Sequence, residues 1–116
     1  MNEEYRGKLQ FIQDESDIVI NKMKKLDVHK EELNELYQDQ RRFLNDLISF
    51  DNSDEFNRDI ELLNSDIITM QNQSMQKLEE TQDELQYEKK KLDLKEEYLF
   101  EELKNIEVKD EDTYVD

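Results

Sequence analysis

From Lys8 onward the chain holds no residue that forces a helix to end: proline is absent and the single glycine is Gly7. Proline removes a backbone donor and clashes with the preceding turn, and glycine costs about 1 kcal/mol in a helix interior. A chain without either after its first turns is free to run as helix, whereas sheets need the tight turns that these residues supply. Leu, Lys, Glu, Gln, Met and Arg, all strong helix formers, dominate the sequence. The expected class is all-α.

How the helices pack follows from how little apolar material there is. Only 34% of the 116 residues are hydrophobic and 41% are charged, too polar for a thick core and suited to a thin seam between paired helices. The first half of the chain shows that seam as a seven-residue repeat on two interleaved tracks. One reads Ile12, Val19, Leu26, Leu33, Gln40, Leu47, and the other Leu9, Ser16, Met23, Lys30, Tyr37, Leu44. Ile20, Leu36, Phe43, Ile48 and Phe50 widen the stripe, which predicts a third surface packing near the end of this helix. Ser16, Lys30 and Gln40 interrupt it, either to specify register or partner or as wet seam edges.

Asp51-Asn52-Ser53-Asp54-Glu55 is the one cluster with the composition of a helix-helix connection. The expected fold is therefore an antiparallel two-helix coiled-coil hairpin: helix 1 over about 4–50, a turn at 51–55, helix 2 over about 56–106, and an acidic flexible tail at 107–116. Asn52 or Ser53 is suited to cap the second helix, with Asn52 and Glu55 at capping-box spacing. The second stripe is read as Phe56, Ile60, Leu63, Ile67, Met70, a stutter near Ser74, then Leu78, Leu85, Leu92, Leu99 and Ile106. Folding back about the turn sets Phe43 near Leu63, Tyr37 near Met70, and Leu9 to Ile12 near Lys95 to Leu99.

The companion track after Leu78 is poor, reading Thr81, Glu88 and Lys95 with Leu103 off phase. The distal half is thus expected to need another helix. The predicted partner-binding residues are Leu78, Leu85, Leu92, Leu99 and Leu103, with Phe43, Phe50 and Phe56 at the turn end.

A formal charge of −16 argues against nucleic acid and anionic membrane as ligands. The Lys24–Lys25 and Lys89–Lys91 clusters read as solvated faces with acidic neighbours a turn away. No apolar run approaches the length of a membrane span, and the first residues lack the apolar core of a leader peptide. The expected location is the cytoplasm, or export with a partner by a leaderless route. With no cysteine and His29 as the only histidine, the ordinary zinc sets cannot form within the chain. A two-helix rod gives paired carboxylates no cleft in which to split their pKa values. No catalytic, cofactor or metal residue is expected, and the chain is read as a non-enzyme.

The hydrophobic-flanked turn from Phe50 to Phe56 and the closing segment from Leu85 to Leu99 resemble the small helical WXG-like proteins associated with LXG toxins in Gram-positive type VIIb secretion systems. The sequence departs from that pattern in having no tryptophan and no glycine in its loop. The resemblance implies a targeting chaperone or adaptor that pairs with the N-terminal helical domain of an LXG-type toxin, with a second small helical protein, or with both. It also implies an export signal of the form aromatic-x-x-x-acid, which Tyr98 and Glu102 match. The alternative reading is a self-associating coiled-coil scaffold, for instance a homodimer, with no role in secretion.

Overall fold

The computed structural model describes the backbone of residues 2–50 and 53–114 and the side chains of residues 3–48 and 53–107. It contains two α-helices that contact each other as an antiparallel hairpin, α1 (Asn2–Phe50) and α2 (Asp54–Tyr114). The fold class is the expected one. Ser53 begins α2: its Oγ accepts a hydrogen bond from the Phe56 N–H at 3.2 Å, and its carbonyl accepts the Asn57 N–H at 3.0 Å. A serine here satisfies one of the N–H groups that a helix start leaves unpaired, and Asp54 and Glu55 in the first turn suit the positive end of the helix dipole. Capping by Ser53 moves the start of α2 two residues ahead of the expected Phe56. Asp51, Asn52 and the side chain of Phe50 lie outside the described residues.

Helix α2 also runs further than its periodicity predicts. In place of a tail from residue 107, the helix continues to Tyr114. Loss of the apolar pattern removes a reason to pack, but 107–114 still has no proline or glycine to break the helix. Val115 and Asp116 lie outside the described residues.

The contacts divide the hairpin into two compact units. Residues 24–82 form the unit that contains the reversal, and the described residues of 2–23 and 83–114 form the other. In both, α1 turns inward the residues on its two heptad tracks. Ile12, Ser16, Val19 and Leu44 are buried, and Leu9, Met23, Leu26, Lys30, Leu33, Tyr37, Gln40 and Leu47 are half-buried. Leu36 and Phe43, which widen the stripe on paper, are exposed.

On α2 the inward residues depart from the expected stripe. Ile60, Gln71, Leu85 and Leu99 are buried; Asn57, Asn64, Ile67, Ser74, Leu78, Gln82, Lys89, Leu92, Glu96, Leu103 and Ile106 are half-buried. Leu63 and Met70, expected inside, are exposed, and Asn64 and Gln71 take their places. The expected stutter near Ser74 is absent from the main track, where Gln71, Leu78, Leu85, Leu92 and Leu99 keep seven-residue spacing; only the companion track of Ile60, Ile67 and Ser74 shifts, by one residue, after Ser74. Beyond it the companion track is Gln82, Lys89, Glu96 and Leu103, one residue later than the track read from Thr81. Thr81 points out and donates its hydroxyl to the Lys77 carbonyl at 2.9 Å.

Candidate partner-binding surfaces

The seam itself is closed by its own chain. On α2, Leu85 and Leu99 are buried and Leu78, Leu92 and Leu103 half-buried, all turned toward the seam with α1. Phe56 is likewise half-buried. Of the residues predicted to bind a partner, Phe43 stands out from the surface, 62% exposed.

In the unit built from 2–23 and 83–114, the sequence placed Leu9 to Ile12 beside Lys95 to Leu99, and the structure brings Phe11 and Ile12 together with Leu94, Lys95 and Leu99. An open groove of about 770 Å³ runs between the helices there, with Gly7, Phe11, Leu94 and Tyr98 along it. Nothing lies within 4 Å of where a Cβ on Gly7 would stand, so the missing side chain widens the groove and serves no close packing. Phe11, Leu94 and Tyr98 are each exposed over more than half their surface. Apolar side chains gathered at such an opening make it a candidate binding surface. Phe11 and Leu94 escaped the sequence reading because they lie off the heptad tracks, where apolar residues are ordinarily dismissed as incidental.

Tyr98 and Glu102 stand one turn apart on α2 at the same end. The Glu102 carboxylate accepts a hydrogen bond from the Tyr98 phenol, and that bond and the carboxylate's charge hold the phenol's pKa above its ordinary value near 10. A raised phenol pKa means that the pairing contributes fully below pH 10 and is lost as pH rises through the elevated value. In an alkaline titration followed by NMR of the tyrosine ring carbons, Tyr98 is expected to ionise late, and Glu102→Gln to bring it back toward 10.0. An unchanged titration in that variant contradicts the pairing.

Nearby, the Lys89–Lys91 cluster finds local partners. Lys89 is paired with Asp93, and Lys91 lies 4.6 Å from the centre of the Tyr87 ring. Lys8 pairs with Glu4 at 3.7 Å on an exposed face. His29 is exposed, 3.6 Å from Glu32. Among the described residues no group of three or more His, Cys, Asp or Glu side chains could hold a metal ion. Among the same residues no helix is long and apolar enough to cross a membrane.

The unit of residues 24–82 has a polar patch inside its seam. Gln71 is 3% exposed and donates from Nε2 to the Gln40 Oε1 at 3.0 Å. That bond links the two helices and fixes their register here. The Oε1 of Gln71 and the Oδ1 of Asn57 are buried without a hydrogen-bond donor, an arrangement that costs about 1–3 kcal/mol for each atom. Tyr37 lies with Gln40, Ile67, Met70 and Gln71 around a shallow notch, as the expected pairing of Tyr37 with Met70 requires. On the outside of the same unit Leu36, Phe43, Leu63 and Met70 are exposed.

A family model described as "Protein of unknown function (DUF3958)" matches residues 2–106 of the chain, nearly the whole hairpin. No curated protein and no solved structure matches.

Proposed function

The chain belongs to the DUF3958 family, and we propose that it is a protein-binding helical adaptor or targeting chaperone, not an enzyme. Its partner in this reading is the N-terminal helical domain of an LXG-type toxin, a second small helical protein, or both. Pairing keeps the partner competent for export. The supporting observation is the apolar surface left outside a seam that is already closed. Phe11, Leu94 and Tyr98 line an open groove although no core of the chain itself needs them there. Burying three such side chains contributes at most about 1.5–3 kcal/mol each before the cost of association, so they act as anchors within a larger interface. The toxin and the export route rest on the resemblance to WXG-like proteins of type VIIb systems, and Tyr98 with Glu102 is the candidate export signal.

Co-expression of the chain with the toxin's helical domain and a second small helical protein is expected to give a stable complex. Phe11→Ser with Leu94→Ser is expected to weaken it by about 100-fold or more while leaving the helical content intact. A chain that elutes as a free 14.2 kDa monomer beside the toxin domain overturns the reading. A chain that assembles into multiples of its own mass and ignores the toxin supports the scaffold instead.

A further inference from the structure

The unit of residues 24–82 carries its own docking face, and its chemistry specifies an occupant. Leu36 and Phe43 each precede an inward residue of α1, Tyr37 and Leu44, by one position. Leu63 and Met70 likewise precede Asn64 and Gln71 of α2. Tyr37 and Leu44 occupy the same heptad position on α1 that Asn64 and Gln71 occupy on α2. In an antiparallel pair, residues one before that shared position fall on the same side of the seam from both helices. The four exposed apolar residues therefore form one strip, and Met70 beside Tyr37 at the notch agrees with this placement.

Acids border the strip on both sides. Glu32 and Asp39 lie a turn before and a turn after Leu36; Asp59 and Asp66 do the same about Leu63. All four are exposed. Among the described residues, basic side chains reach this side of the unit at its outer end, through Lys25 and Lys77.

We propose that this strip binds an amphipathic α-helix of another protein whose apolar stripe is flanked on both sides by Lys or Arg. The proposal rests on the binding-module reading and adds the chemistry of the partner. A second copy of the chain fits poorly, because its own acid-lined strip would be set against this one in a molecule of net charge −16. A basic-flanked helix covers the four apolar side chains and meets the acids on each border with charge of opposite sign.

The probe is a synthetic helical peptide of about three heptads with leucines at i, i+3, i+4 and i+7 flanked by lysines. A second peptide replaces the lysines by glutamates, and a third keeps the lysines but replaces the leucines by glutamine. The first is expected to bind the full chain, more weakly as salt rises, with the other two at least about tenfold weaker. Asp39→Lys with Asp66→Lys is expected to reduce binding by about 5- to 30-fold. Glu35→Lys with Glu61→Lys, the same change of charge on other faces of the unit, is expected to leave it within about twofold.

Equal loss in both pairs of variants means diffuse attraction to an acidic protein and overturns the site. Equal binding of the first and third peptides overturns it as well, and so does a free chain that sediments as a dimer which Phe43→Ser dissociates. The two proposals separate cleanly. A toxin-domain complex untouched by the Asp39 and Asp66 variants removes this site and leaves the proposed function, whereas peptide binding of the stated pattern with no toxin-domain complex does the reverse.

Discussion

Replacing Gln40 and Gln71 together by leucine is expected to stabilise the hairpin by about 2–4 kcal/mol, an unusually large gain for two substitutions. Gln71 is 3% exposed, and its Oε1 has no donor. The double change removes that orphan and gives the seam two apolar side chains where the helices already touch. Thermal unfolding followed by circular dichroism should shift upward by roughly 10 °C or more. The gain has a second consequence. The amide pair spans the seam at 3.0 Å and fixes one register, so the leucine variant is expected to self-associate more readily, as coiled coils do when a buried polar pair is lost. An unchanged or lowered midpoint contradicts the account of this patch.

The second large effect is a contrast between neighbours. Leu44 is 3% exposed and Phe43 is 62% exposed, one position apart on α1. Leu44→Asp is expected to cost about 4 kcal/mol or more, since it removes a packed leucine and asks the seam to hold a charge. Phe43→Asp is expected to stay within about 1 kcal/mol of the parent. Urea denaturation of the two variants reads both values. Similar losses in the two, or a larger loss at Phe43, contradict the phase assigned to α1.

That phase was legible in the sequence, and the reason is physical. Both α1 tracks, from Leu9 to Leu47, are apolar at most positions, so the heptad is unambiguous and every residue on it is buried or half-buried. The first turns of α2 were misread because two stripes compete there. Ile60 and Ile67 face inward on either reading, but the track beside them is Asn57, Asn64 and Gln71 in place of the more apolar Leu63 and Met70, which are exposed. A signal for the correct choice was present: stepping back from Leu99, Leu92, Leu85 and Leu78 by sevens, without a shift, lands on Gln71, Asn64 and Asn57. Gln71 also answers Gln40, the polar interruption in the opposite track. Intrinsic hydrophobicity ranked the alternatives wrongly because it takes no account of the seven-residue spacing that ties Asn57, Asn64 and Gln71 to the leucines from Leu78 onward.

The same misreading shaped the expected site. If Leu78, Leu85 and Leu92 lacked a mate, they would be the natural anchors for a partner. In the structure they face α1, and exposed apolar residues lie off the tracks, among them Phe11, Leu94 and Tyr98 in one unit and Leu36, Phe43, Leu63 and Met70 in the other. Periodicity alone identifies the residues that close the hairpin, and the outward apolar residues become meaningful only once that seam is known.

Whether another protein docks on the closed hairpin or opens it is decided by locking it shut. The chain has no cysteine of its own, so Gln40→Cys with Gln71→Cys places one pair across the seam of residues 24–82, to be bridged as a disulfide. Binding of the lysine-flanked helical peptide is then measured on the oxidised and the reduced chain. Equal affinities, within about twofold, are the expected result, because the strip of Leu36, Phe43, Leu63 and Met70 lies outside the bridge. Binding by the reduced chain that disappears on oxidation would mean that the partner enters the seam, and the account would fail.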